Sequence, residues 1–310
     1  MRYELPCILI VIICVSIYIC VVGRTGIFEQ MTPSPEKTTS LGNLVAMYFI
    51  NMAKAFQEGK DYVYEHKNEN DVMKNMPKKM SVSEYPNVQQ ELSKIAPIKS
   101  DIELWVCTTD DIANMWRIIK PIAHEILDGV FKKMGKTPES NIPIIHFRCS
   151  DIPFIRSKHY KLSKHSFYSD CINELVSSGG VNCEKIQIMY SNVHKSDNKN
   201  ATSCDSYVEH IKPHIQKNNA NVVKEIVVTS STEVQDFVNL FYAPAVISIG
   251  SSFSFISGYL GKGVFLSSGH IDGEENKCTV CKWLKRGYSV PHESIPDYYN
   301  TDETVKILDK

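Results

Sequence analysis

Short apolar runs alternate with amphipathic helical patterns between residues 142 and 266. The apolar runs are predicted strands, and they cover residues 142–145, 185–190, 225–229, 245–249 and 264–266. A helix between two strands returns the chain to the same edge of a sheet. The alternation therefore predicts an α/β fold with a parallel, doubly wound sheet. The chain contains neither GxGxxG nor a Walker A sequence, which disfavours NAD enzymes and P-loop NTPases.

The composition is that of an ordinary globular protein. Of the 310 residues, 43% are hydrophobic and 22% are charged, which suits one large domain or two small ones. The formal net charge is −1, so no overall field would attract nucleic acid or an anionic membrane surface. Any anion-binding site is therefore expected to be local, and no nucleic-acid partner is expected.

The N-terminal segment 6–22 is apolar and uncharged, at the short end of the length that spans a bilayer. We expect residues 1–23 to form a signal anchor, and residues 24–40, with their two prolines and many polar residues, to form a stem. The alternative is a signal peptide cleaved near Gly23. The anchor predicts a single-pass type II membrane protein whose main part lies in the Golgi or ER lumen.

A sequon and the cysteines also favour the lumen. Asn200-Ala201-Thr202 is a glycosylation acceptor sequence in a polar segment. Seven cysteines follow the apolar segment, which indicates one to three disulfides in an oxidising compartment. Sequons also occur by chance and buried free thiols are common, so this indication is weak by itself.

Two of these cysteines, Cys278 and Cys281, form a lone CxxC motif. A local disulfide is the preferred interpretation. A zinc site would need two further ligands, and only His270 and His292 lie near enough in the sequence. A redox-active pair is disfavoured because no βαβ pattern precedes the motif.

Three chemically active side chains follow the strand predicted at 142–145. They are His146, Arg148 and Asp151, and open α/β sheets bind their ligands at this carboxyl end. The guanidinium of Arg148 offers a fixed, charged fork that matches a diphosphate. The alternative is structural, with Arg148 paired to Asp151 or to a helix end.

Small polar residues end three further strands and precede helices. These pairs are Ser191-Asn192, Ser230-Ser231 and Ser251-Ser252. Helix N-termini bind anions, so the pairs predict a nucleotide-facing edge. Ser251-Ser252 is also explained as a helix cap, and so is Ser231. Gly42-Asn43 stands before another predicted helix and allows the same two interpretations. A long helix predicted at 111–134 contains Pro121, which is expected to kink or split it.

Three blocks resemble the α-1,2-fucosyltransferase family, in the family's own order. LGNLVAMYFINMAKAF at 41–56 resembles its opening GLGNQ helix, HFRCSD at 146–151 resembles its HxRRxD strand end, and AVISIGSSFSFISGYLG at 245–261 resembles its late strand-S-T-F-S-helix block. The resemblance covers residues 40–296. The chain departs from the family most visibly at Cys149, which stands where the family has a second arginine.

The resemblance implies a GT-B-like fold of two Rossmann-like halves, an acceptor-side half at 41–141 and a nucleotide-sugar half at 142–310. It also implies a metal-independent, inverting transfer of a sugar from a nucleotide-sugar co-substrate to a glycan acceptor. GDP-fucose is the first donor expected. The alternatives are another donor, such as UDP-xylose, and a non-catalytic glycan-binding protein of the same fold.

The same resemblance assigns roles to individual residues. Arg148 would bind the donor diphosphate and stabilise the leaving group, and Asp151 is the candidate catalytic base. His146 would contact the donor and is also a candidate catalytic residue. The remaining donor-binding candidates come from strand ends and helix starts: Gly42, Asn43, Ser230, Ser251, Ser252 and Phe253.

Overall fold

The computed structural model describes residues 40–65, 70–98, 109–148, 161–178, 180–190, 201–269, 278–290, 294–295 and 301–310. Residues 40–310 form one compact unit. The predicted anchor and all of the predicted stem except Ser40 lie outside the described residues, and so do Asp151, Asn192 and Asn200. Within the described ranges, no helix combines the length and the apolar character needed to cross a bilayer.

The first part of the described chain consists of helices and one short antiparallel ladder. Its elements are α1 (Leu41–Gln57), β1 (Tyr62–Val63), α2 (Asp71–Asn75), β2 (Lys79–Met80), a 3-10 turn (Val82–Glu84), α3 (Pro86–Leu92) and α4 (Asp110–Lys133). Helix α1 forms because apolar residues recur at helical spacing, and Val45, Phe49, Met52 and Phe56 are all fully buried.

The second part builds a five-stranded parallel sheet, as predicted. Its elements are β3 (Ile144–His146), α5 (Ser166–Ser177), β4 (Lys185–Met189), α6 (Ala201–Asn218), β5 (Glu225–Val228), α7 (Glu233–Tyr242), β6 (Ala245–Ser248), α8 (Ser252–Ser254), a π-helix (Phe255–Tyr259) that continues α8, β7 (Val264–Ser267) and α9 (Thr301–Leu308). The strand order is β5-β4-β3-β6-β7, and every neighbouring pair is parallel. The fold is therefore α/β.

The strand order reverses between β3 and β6. From β3 the chain builds outward through β4 to β5, and it then returns to the opposite side of β3 to lay down β6 and β7. In the β3–β6 pair, His146 lies opposite Ser248 at the carboxyl ends of the strands. At such a reversal the connections that follow the two neighbouring strands run in opposite directions. They leave a crevice at the carboxyl ends of the strands, where open α/β sheets bind ligands.

Helices cover both faces of the sheet because successive strand residues point to opposite sides. Ile144 and Val246 pack in one cluster with α1, α4, α7 and the π-helix. Ile145 and Ile247 pack in the other cluster with α5, α6 and α9. The carboxyl end of β3 is thus positioned by two separate cores.

Three details differ from the sequence prediction. Helix α1 begins at Leu41, so Gly42 and Asn43 lie in its first turn, and the alternative that Asn43 is the N-cap is wrong. Helix α4 continues through Pro121 without a break. Pro121 is exposed, and buried side chains before and after it, such as Ile119 and Ile122, hold the helix in place. The apolar pattern predicts a helix at 206–217, whereas α6 begins at Ala201, five residues earlier.

Candidate functional site

The carboxyl end of β3 supplies the first two residues of the candidate site. The backbone N–H of Phe147 donates to the Met189 carbonyl oxygen at 2.9 Å. The alternation of side chains between the two faces of the sheet therefore continues one residue beyond β3. Phe147 is buried in the cluster that contains α5 and α6. His146 and Arg148, one residue on either side of it, therefore belong to the opposite face, towards α1.

The turn after β6 supplies the second part of the site. Its bend is a glycine in the left-handed region, Gly250, with φ 86°. The Ser248 hydroxyl oxygen accepts from the Gly250 N–H at 3.2 Å and lies 2.6 Å from the Ser254 hydroxyl. The Phe255 N–H donates to the Ser251 carbonyl at 2.8 Å and starts the helix. This network holds buried Ser251 and Ser252 beside the end of β3.

The first turn of α1 lies directly on the start of α8. A Cβ atom added to Gly42 would lie 2.5 Å from both the N and the Cα atoms of Phe253, so only glycine fits at this approach. The Phe253 ring in turn lies 5.7 Å from the His146 ring, centroid to centroid. The structure therefore brings together the three blocks that the sequence analysis selected separately.

A carboxylate that the sequence analysis did not select also reaches this place. The Leu41 N–H donates to Glu233 Oε1 at 3.2 Å, which ties the start of α7 to the start of α1. The sequence pattern marks Glu233 only as a first-turn acid of α7. Its partner is 192 residues away in the sequence, and no local signal reveals such a contact.

Ser230 is not brought to the β3–β6 reversal. It follows β5, which lies at the edge of the sheet, two strands away from β3. Its hydroxyl donates to Asp236 Oδ2 at 2.5 Å, and the Ser231 N–H donates to Asp236 Oδ1 at 2.8 Å. Thr232 is the N-cap of α7 and accepts from the Gln235 N–H at 3.3 Å. The contact predicted between Ser230 and a donor remains a prediction.

Two buried polar atoms at the site lack a hydrogen bond. Asn43 Oδ1 and His146 Nδ1 have no partner within the described part of the chain. Most buried polar groups in proteins are hydrogen-bonded, and an unsatisfied one costs about 1–3 kcal/mol. Two such atoms, on the first turn of α1 and at the end of β3, are what a site for a polar ligand would present.

The electrostatic surroundings of His146 limit its chemistry. Burial, assisted by the nearby positive charge of Arg148, lowers the pKa of His146 to about 3. The ring is therefore neutral at neutral pH and is a weak proton acceptor. These surroundings suit a neutral hydrogen-bonding role better than general base catalysis.

The lowered pKa of His146 predicts how stability changes with pH. The unfolded chain takes up a proton on this ring near pH 6.5, whereas the folded protein does so only near pH 3. The contribution to the free energy of unfolding is thus fully present above pH 6.5 and decreases as the pH falls towards 3. Between pH 6.5 and 4.5 the loss is at most about 2.7 kcal/mol.

Urea unfolding of the wild type and of His146→Gln at pH 7 and pH 4.5 measures this effect. We expect the wild type to lose more stability than the variant over this interval, because glutamine does not titrate. Equal losses in the two proteins would contradict the assignment of a buried, neutral His146.

The CxxC motif forms the predicted local disulfide, between Cys278 and Cys281. The zinc alternative is wrong because both thiols are used in this bond. The Asp110 carboxylate, at the start of α4, accepts from the Thr279 N–H at 2.5 Å and from the Thr279 hydroxyl at 2.7 Å. Cys204 is also disulfide-bonded. Asp110 therefore has a structural partner in the disulfide loop.

The chain matches no known family model and no curated protein at a significant level. The likeness to the fucosyltransferases therefore rests on the three sequence blocks alone.

Proposed function

We propose that the protein is a glycosyltransferase that moves a sugar from a nucleotide-sugar donor to a glycan acceptor. One observation carries the proposal. Three segments meet where the strand order reverses. They are the end of β3 with His146 and Arg148, the turn after β6 at Ser251–Phe253, and the first turn of α1. Gly42 permits this meeting because any side chain there would strike the backbone of Phe253.

The proposed chemistry follows from the charges at this place. Bond cleavage leaves negative charge on the nucleoside diphosphate, and preorganised donors stabilise such charge most strongly in the transition state. Arg148 supplies a permanent positive charge at the strand end. The first turn of α1 adds the positive end of a helix, whose first N–H, that of Leu41, already donates to the Glu233 carboxylate. These groups favour a metal-independent transfer.

The remaining parts of the proposal depend on the resemblance. By this resemblance the fold is GT-B-like, with two Rossmann-like halves at 41–141 and 142–310. The five-stranded parallel sheet lies within 142–310 and supports the proposal for that half. The transfer is inverting, with Asp151 as the candidate base and GDP-fucose as the first donor. The type II arrangement through residues 1–23 places the catalytic part in the lumen, and the Cys278–Cys281 disulfide supports an oxidising compartment.

A second candidate function is glycan binding without catalysis. Cys149 occupies the position of the second arginine of the family motif, so one of two expected phosphate-binding charges is absent from the motif. If Arg148 alone does not stabilise the leaving group enough, the site would bind its ligand and leave it intact.

A panel of nucleotide sugars tests both candidates on the purified full-length protein. Binding is measured by calorimetry, and donor hydrolysis is measured by release of the nucleoside diphosphate, with and without added Mg²⁺ or Mn²⁺. We expect one class of donor to bind and turn over, with no increase on metal addition. Binding without turnover would favour the non-catalytic candidate, and failure of every nucleotide sugar to bind would refute the proposed function.

A further inference from the structure

Two histidines and one aspartate lie close together on elements that supply no residue of the candidate site. His165 precedes α5, His214 lies in the last turns of α6, and Asp309 follows α9. One potential ligand atom from each residue lies within 4.8 Å of the other two. Both rings approach the same carboxylate oxygen, with Nδ1 of His165 at 2.7 Å and Nδ1 of His214 at 3.5 Å from Asp309 Oδ1.

Hydrogen bonding alone uses this cluster incompletely. The His165–Asp309 contact is a short hydrogen bond, but 3.5 Å from His214 is longer than an ordinary one. The nearly fully buried side chain of His165 makes one described hydrogen bond, through Nδ1, and its ring packs edge-on against that of His214 at 5.4 Å between centroids.

The backbone fixes the same three elements together. The His165 N–H donates to the Leu308 carbonyl at 2.8 Å, so the end of α9 is attached to the start of α5. Val305 and Leu308 pack in the same core as Ile211 and Ile215 of α6. Since three separate elements present these ligand atoms in one place, their convergence is a property of the fold and not of one flexible loop.

The chemistry of the donors matches a transition-metal ion. Neutral imidazole and carboxylate are ordinary ligands of Zn²⁺, with metal–ligand distances of about 2.0–2.2 Å. A tetrahedral site of that size places its ligand atoms about 3.3–3.5 Å apart. The His214–Asp309 distance already has this value, and the His165–Asp309 pair would open by less than about 1 Å.

Two further properties favour a cation at this position. Burial lowers the pKa of both His165 and His214, against the opposing effect of the Asp309 carboxylate. The Asp309 side chain is 49% exposed, which gives an ion a route of entry and gives the carboxylate room to adjust.

We propose that His165, His214 and Asp309 form a site for a divalent transition-metal ion, with Zn²⁺ as the best match. The ion replaces the proton shared by His165 and Asp309, and it clamps α9 against α5 and α6. Three protein ligands with a solvent molecule in the fourth position are the ligand set of an open zinc site and not of a closed, four-ligand structural one. The site shares no residue with the candidate site for sugar transfer.

Metal titration of the full-length protein, after removal of bound metal with a chelator, tests this site. Co²⁺ is added while its visible absorption is recorded, and Zn²⁺ is then used to displace it. We expect one equivalent to bind and Zn²⁺ to raise the unfolding temperature. Asp309→Asn and His214→Gln should each weaken binding at least about tenfold, since even residues that only support a ligand are worth about 10–100-fold.

The matched controls are Asp302→Asn and His210→Gln. Asp302 is an exposed residue of α9. His210 lies one turn before His214, and its own Nδ1 lies 2.7 Å from the Ser206 carbonyl oxygen. Both should bind Co²⁺ as the wild type does. X-ray absorption of the Zn²⁺-loaded wild type should show two imidazoles and oxygen, whether or not the variants fold. Absence of saturable binding, equal weakening in the controls, or sulfur ligands would overturn the site.

Discussion

Arg148→Ala is expected to reduce donor turnover by at least about a hundredfold, the usual cost of losing one preorganised group that stabilises developing charge. The effect should be large because Arg148 is the one arginine of the HFRCSD motif at the carboxyl end of β3. The measurement is release of the nucleoside diphosphate from the donor that the panel selects.

Two further variants separate charge from fold in this experiment. Arg148→Lys retains the positive charge and loses the planar fork, so intermediate activity is expected. Arg117→Ala removes an exposed arginine of α4 and should leave turnover unchanged. Full activity of Arg148→Ala would remove the role assigned to this guanidinium.

Gly42→Ala is expected to destabilise the protein by about 3 kcal/mol or more and to weaken donor binding with it. The new Cβ would lie 2.5 Å from two backbone atoms of Phe253. Overpacking in a core costs about 1–3 kcal/mol when side chains can adjust, but here backbone must move. Because Phe253 adjoins His146, the displacement should reach the site itself. Urea unfolding and donor calorimetry measure the two effects.

Gly129→Ala is the matched control for this change. Gly129 is an exposed residue of α4, and no atom lies within 4 Å of a Cβ placed there. Alanine in a helix interior is favoured over glycine by about 1 kcal/mol, so this variant should be as stable as the wild type or more stable. If Gly42→Ala were equally well tolerated, the close approach of α1 to α8 would be wrong.

The parallel sheet could be predicted because its signal is local. Each strand is a short apolar run and each following helix has its own periodicity, so the α/β class follows from the order of the patterns. The strand order does not follow in the same way. Nothing near residue 245 indicates that β6 lies beside β3 and not beside β5, because that choice depends on how the helices pack on both faces of the sheet.

The start of α1 shows a second limit of local patterns. Ser40 occupies the cap position without a side-chain hydrogen bond to the helix, so the usual capping signal is absent. The first N–H is bonded instead by Glu233, which belongs to another part of the sequence. The turn at Gly250 is similar, since Ser248 and Ser254 support it with a contact that their spacing alone does not indicate.

Individual site residues were predictable where a strand end and a functional side chain coincide. His146 and Arg148 belong to this class, and so do Ser251, Ser252 and Phe253. The neutral state of His146 was not predictable, because it depends on burial that only the packed structure shows. The cluster of His165, His214 and Asp309 was missed because its members belong to no motif and lie far apart in the sequence, up to 144 residues from one another.

The central claim is that the first turn of α1, the end of β3 and the start of α8 bind one nucleotide sugar. Photolabelling tests it most directly, using an azido derivative of the donor that the panel selects and mass spectrometry of the labelled peptides. We expect labels in peptides that contain Gly42, His146 or Ser252, and competition by the unmodified donor. Competable labels found only in other peptides, such as that of α9, would contradict it.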